Sequence, residues 1–237
     1  MAPLSERTPV LDLVRSSAGA PPEDRAGRGA RTDEELARAA QGGETSAFES
    51  LVSRFEAPLH AFLRVRTGNA AEAEELAQDA FLRAWEKLDA YDSRWRFSTW
   101  LFTLARNLAV SRARIRKARS IGDEELGRLS AGSDPARLAE ARDEHENVWN
   151  TATRVLSREQ RSALWLRYGE DLSIEEVADV LGRNRVTVRV ILFRAREALA
   201  SHFEREEERN AAGRTPRESV SSARTGLQDR EIEGARR

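Results

Sequence analysis

Residues 172–199 read LSIEEVADVLGRNRVTVRVILFRAREAL. Ser173 and Glu176 make a capping-box pair ahead of Ile174, Val177, Ala178 and Leu181, which recur at helical spacing. Gly182 ends that run, and Asn184 offers a cap to a second helix starting near Arg185. Val188, Leu192, Ala195 and Leu199 then fall on one side of the second helix, where they can pack on the first. A short helix, a tight turn and a second helix is the spacing of a helix-turn-helix, whose second helix enters a major groove. Between 182 and 196 there are five arginines and no acid, and the planar guanidinium fork suits guanine edges and phosphates. An ordinary helical hairpin with an arginine-rich solvated face would share this spacing. The second helix also carries Val186, Val190 and Phe193 on the side opposite its core stripe.

The rest of the chain is charged in blocks. Its formal net charge is only -1, but 91–120 holds eight basic residues against one acid, and 121–147 holds eight acids against three arginines. A basic block beside an acidic one suggests an anionic partner at the first and intramolecular or competitive contacts at the second. With no cysteine, there is no disulfide framework, thiolate nucleophile or thiol switch. The three histidines, His60, His145 and His202, lie far apart, and neither a metal-spaced cluster nor a Gly-rich phosphate loop is visible. An enzyme is not expected, nor any cofactor or metal. No apolar run approaches a membrane span and the N-terminus lacks the order of a signal peptide, so the expected location is the cytoplasm, at the nucleoid.

Helical spacing accounts for most of the remainder. Thr32 and Glu35 form a capping-box pair, and Phe48, Leu51, Val52, Phe55, Leu59, Phe62 and Leu63 make one apolar stripe, broken at Gly68. A second stripe is Leu76, Ala77, Ala80, Phe81, Ala84, Trp85 and Leu88, opposite an acidic-polar face. After the loop YDSRWR a third stripe, Phe97, Trp100, Leu101, Leu104 and Leu108, leads into an arginine run. Asp134 with Pro135, and later Ser157 with Gln160, are further helix starts. The expected class is all-α: a disordered arm at 1–31, a helical domain at 32–118, an acidic linker at 119–133, a second helical domain at 134–203, and a charged disordered tail at 204–237.

Three stretches carry a family resemblance. LSREQRSALWLRY followed by LSIEEVADVLG and the arginine-rich helix resembles region 4 of sigma factors of the extracytoplasmic-function (ECF) group. AEELAQDAFLRAWEKL resembles region 2.2 of that group, and FSTWLFTLARNLAVSRARIRK resembles its regions 2.3 and 2.4. The order is right, and the resemblance covers about two thirds of the chain, 33–118 and 134–203.

The resemblance implies a protein that binds core RNA polymerase, recognises the minus-thirty-five and minus-ten promoter elements and nucleates melting. Its partners would be the β′ clamp helices and β flap of polymerase, promoter DNA and an anti-sigma factor, without membrane insertion. Glu75, Gln78, Asp79 and Arg83 match the polymerase-binding face. Trp95, Arg96, Arg106, Asn107, Arg112, Arg114, Arg116 and Lys117 match the minus-ten surface, with Trp95 at a loop tip suited to stacking on an extruded base or to folding back on the bundle. Arg183, Asn184, Arg185, Thr187, Arg189 and Arg194 match the minus-thirty-five reader. One departure stands out: where the group usually carries a Gly-Thr-Val-Lys/Arg-Ser-Arg-like run, Val186 replaces the glycine, Val190 the serine and Ile191 the arginine. Two readings of those three residues stay open, thymine-methyl contact and a protein-binding strip. The alternative function is a sigma-like regulator that binds polymerase or an anti-sigma partner with weakened promoter reading.

Overall fold

The computed structural model describes residues 31–123 and 144–213. The expected arm apart from Arg31, most of the linker, the Asp134-Pro135 helix start and the end of the tail lie outside them. Among the described residues the secondary structure is helical throughout: α1 (Asp33–Gln41), α2 (Thr45–Thr67), α3 (Ala70–Glu86), a 3-10 turn (Leu88–Ala90), α4 (Phe97–Asp123), α5 (Glu144–Val155), α6 (Arg158–Leu164), a π turn (Trp165–Gly169), α7 (Ile174–Leu181) and α8 (Arg185–Gly213). Helix α4 runs into the stretch expected as linker, and α8 extends past 203 into the expected tail. The described residues up to Ala200 form one compact unit, and those from Ser201 on group separately.

Local chemistry sets the helix ends. At α1 the Glu35 N–H donates to Thr32 Oγ1 (3.2 Å) and the Thr32 N–H donates to Glu35 Oε2 (2.8 Å), so two helix-terminal donors are satisfied reciprocally. Ser157 with Gln160 and Ser173 with Glu176 do the same for α6 and α7. Gly68, at φ +74, closes α2, and Asn69 then caps α3 by accepting from the Glu72 N–H (3.0 Å). A glycine suits that left-handed position because a Cβ would be strained there.

In the first helical group, α2, α3 and α4 pack around Leu51, Phe55, Leu59, Phe62, Leu63, Leu76, Phe97, Leu101 and Phe102, all at most 2% exposed. Phe62 meets Phe102 edge-on at 5.2 Å and Phe55 meets Phe97 at 5.6 Å, distances at which aromatic quadrupoles attract. Helix α3 contributes mostly alanines, Ala73, Ala77, Ala80 and Ala84, and these small side chains let it lie close to its neighbours. Glu34 of α1 accepts from the Phe97 N–H at 3.0 Å, satisfying an otherwise orphaned donor at the start of α4.

The second group, α5 to the first half of α8, is built on Leu156, Leu164, Trp165, Leu166, Leu172, Val177, Val180 and Leu181 against Val188, Leu192, Ala195 and Leu199. It packs on the first through α4 against α7 and α2 against α6. At that junction Arg161 is only 8% exposed. Its guanidinium donates to Val65 O (3.0 Å), at the end of α2, and to Thr153 O (3.0 Å) and Leu156 O (3.1 Å), at the end of α5. Helix C-termini carry partial negative charge and unpaired carbonyls, so a buried cation fits there. Burial still lowers the Arg161 pKa from the ordinary arginine value. Nearby Arg66, which donates to Ser162 Oγ (3.3 Å), is pulled down to about 10 by burial and by the charges of Arg106 and Arg158.

Candidate functional site

The helix-turn-helix follows from three local features. Glu176 Oε2 caps the Ser173 N–H at 2.7 Å, Gly182 turns the chain at φ +62, and Asn184 Oδ1 accepts from the Thr187 N–H at 2.7 Å to start α8. Asn184 therefore spends its carbonyl on the backbone and keeps its amide N–H groups for a partner. On the outer side Arg183 pairs with Glu159 (2.6 Å) and Arg185 with Glu175 (3.1 Å). These partners hold the Arg183 pKa above and the Glu175 pKa below their ordinary values; hydrogen bonding leads for Arg183, and a backbone hydrogen bond precedes the arginine for Glu175. Arg189 and Arg194 are exposed and Thr187 is half-buried. Val186, Val190 and Phe193 are exposed as well, and Ile191 is half-buried beside them.

The second cluster lies on α4 and the loop before it. Tyr91 is buried against Phe97 (5.5 Å) and Trp100 (5.1 Å). Its hydroxyl donates to Trp95 O at 2.6 Å, which pins the loop from inside. Burial, then Glu34 and Asp33, push the Tyr91 phenol above its ordinary pKa, so it stays a donor. Asp92 accepts from the Arg94 backbone and guanidinium, and the pair holds Asp92 below and Arg94 above their usual values. The loop is thereby shaped while the Trp95 ring stays outside, 64% exposed. Of the two placements open for Trp95, the structure adopts the outward one.

The remaining basic residues divide between two neighbours. Arg112 reaches Glu75 (2.6 Å) and Asp79 (3.8 Å), and Arg116 reaches Glu72 (2.9 Å). Two acids of the expected polymerase-binding face thus neutralise part of the expected minus-ten surface. Arg96 and Arg106 turn the other way. Arg96 Nε lies 3.7 Å from Glu176 Oε1, and Arg106 donates to Leu181 O at 2.9 Å and to Asn107 at 2.8 Å, which places its guanidinium at the carboxyl end of α7. Arg114 and Lys117 are exposed. One candidate surface therefore meets both the other candidate surface and the helix-turn-helix.

Sequence spacing places Phe81 and Trp85 on the buried stripe of α3; the structure half-buries Phe81 and leaves Trp85 45% exposed, because the alanines occupy the core contact. With Phe48, whose ring meets Trp85 at a 60° tilt and 4.9 Å, and Leu82, 65% exposed, they line an open apolar groove of about 690 Å³ between α2 and α3. Gln78 stands on its rim, and Arg83 pairs loosely with Glu86 (3.8 Å). The signal that could have revealed the groove was Leu82, an apolar residue among Gln78, Asp79, Arg83 and Glu86. No sequence pattern pointed to Arg161 or to the second use of Glu176, because both depend on partners far along the chain. Among the described residues no helix is long and apolar enough to cross a membrane.

Residues 51–120 match the family model Sigma-70 region 2, and residues 149–199 match Sigma-70, region 4. The chain is 31% identical to the ECF RNA polymerase sigma factor SigW of Bacillus subtilis over 166 residues, covering 66% of this chain and 89% of SigW. Two solved structures are similar to it, each with a TM-score of 0.55: CnrH in complex with the cytosolic domain of CnrY, at 27% identity over 73% of this chain and 97% of the other, and the sigma factor RpoE in complex with the anti-sigma factor NepR from Bartonella quintana, at 25% identity over 66% and 96%. A basic α4 that follows an exposed loop tryptophan, a helix-turn-helix behind it, and matched relatives along both groups lead to one conclusion: this chain belongs to the ECF RNA polymerase sigma factors.

Proposed function

We propose that the chain is the promoter-specificity subunit of RNA polymerase, which joins the core enzyme, recognises the minus-thirty-five and minus-ten elements and nucleates melting with no catalysis of its own. The observation that carries this reading is the row of exposed arginines on the second helix of a capped helix-turn-helix, in one chain with a basic helix that follows an outward tryptophan. Arg183, Arg185, Arg189 and Arg194 supply phosphate and base contacts upstream, with Asn184 and Thr187 beside them. Downstream, Trp95 offers a stacking face worth ~1–3 kcal/mol per base, enough to offset much of the cost of extruding one. Arg112, Arg114, Arg116 and Lys117 form the phosphate track with the exposed Asn107 beside it, while Arg96 and Arg106 join it once released from α7.

The α2–α3 groove, rimmed by charged and polar residues, suits a helix-on-helix dock with the β′ clamp helices, with Glu75, Gln78, Asp79 and Arg83 setting register. The β flap is assigned to the second helical group. The working division is 32–118 and 134–203, and the place of action is the cytoplasm at the nucleoid. CnrH and RpoE are each held by a partner protein in their solved complexes, which supports an anti-sigma partner here. One observation favours the second reading, a sigma-like regulator with weakened promoter reading: Arg96, Arg106, Arg112 and Arg116 already have partners within the chain. Transcription with purified bacterial core polymerase on a library of genomic fragments separates the two. Promoter-dependent transcripts that need this chain are expected; tight core binding with no such transcript from any fragment leaves only the second reading.

A further inference from the structure

On the outer side of α8, Val186 is 66% and Val190 42% exposed. They are one helical turn apart and stand in the first turn and a half of the helix. With Thr187, Ile191 and Arg194 they line a shallow groove of about 390 Å³ closed on its far side by Ser157 and Gln160. Branched side chains of this kind are ordinarily buried, yet here they sit beside the exposed Arg189 and Arg194, with Arg183 and Arg185 nearby in pairs with Glu159 and Glu175. A ligand that fits this surface is apolar at its centre and negatively charged on both sides.

The major groove of DNA has that character wherever thymines place their C5-methyl groups between two phosphate rails. The strip from Val186 to Phe193 is about 10 Å long at 1.5 Å per residue, so it lies within one major groove when the helix follows that groove. Accepting the assignment of α8 to the upstream promoter element, we propose that Val186 and Val190 are specificity-determining residues that read thymine methyl groups, with Ile191 supporting Val190 from the side. Four residues of helix advance about 6 Å, and bases on one strand are spaced by about 3.4 Å. The two methyls therefore lie about two base steps apart.

The test uses the full chain bound to bacterial core polymerase. Duplexes are selected from a library randomised over the upstream element, and each thymine of the selected element is then replaced by deoxyuridine, which removes the methyl and nothing else. Wild-type protein is expected to lose about fourfold in affinity for each of two methyls removed. The Val186→Ala/Val190→Ala variant is expected to bind the thymine duplex more weakly and to be insensitive to the replacement. Equal binding of thymine and uracil duplexes by the wild type overturns the inference, and because that comparison needs no mutant it holds even if the variant misfolds. Selection of an element without paired thymines also overturns it. Arg189→Ala distinguishes this failure from a deeper one: if that variant binds the selected duplex as tightly as wild type, α8 is not the DNA reader at all; if it binds more weakly while methyl loss is silent, only the methyl reading is wrong.

Discussion

The two helical groups solve the same problem in different ways. The first is held by aromatic packing, Phe55, Phe62, Phe97 and Phe102 with Tyr91 at the edge; its basic helix is checked by acids of its neighbour, Arg112 by Glu75 and Arg116 by Glu72. The second has a mostly aliphatic core around one buried indole, Trp165, with two capping boxes, at Ser157 and Ser173, and keeps Arg189 and Arg194 exposed at its outer face. The difference teaches where each surface gets its shape. In the first group a large core fixes helices whose charges are partly neutralised at rest. In the second, caps and a glycine turn fix a helix pair whose outer face pairs Arg183 and Arg185 with acids and keeps Arg189 and Arg194 exposed.

The largest effect expected from this contrast is in the aromatic core. Phe62→Ala removes a fully buried ring and is expected to cost about 3–5 kcal/mol of stability, read by denaturant unfolding. A loss below about 1 kcal/mol would mean that the aromatic cluster is not what holds the first group. Next comes the junction. Arg161→Met keeps much of the side-chain volume but strands the carbonyls of Val65, Thr153 and Leu156, and it is expected to cost about 2–3 kcal/mol. An unchanged midpoint would show that water replaces the guanidinium without penalty.

Much of this was readable in the sequence because it is local. The capping pairs, the turn at Gly182 and the inner stripe of Val188, Leu192, Ala195 and Leu199 each depend on residues a few positions apart, and each appears as read. The outward Trp85 was not readable from periodicity. Which side of an amphipathic helix reaches the core depends on what its neighbour offers, and α3 meets its neighbours with alanines. The links between the groups were further out of reach. Arg106 to Leu181 spans 75 residues and Arg161 to Val65 spans 96, so no window of sequence contains both partners. The same reason explains why the minus-ten candidates were legible as residue types while their present partners were not.

The comparison of the two groups is tested most directly by separating binding from opening. Arg189→Ala and Arg112→Ala are each assembled with core polymerase on a selected promoter, and duplex binding and strand opening are measured on the same complexes, opening by the reactivity of unpaired thymines. Loss of one charge-assisted contact corresponds to about a tenfold change. Arg189→Ala is expected to weaken binding of the closed duplex by about that factor and to open normally once bound at saturating concentration. Arg112→Ala is expected to bind the upstream element as wild type does and to open about tenfold less readily. If both variants lose binding and opening together, or neither loses either, the division of labour between the two helical groups is contradicted.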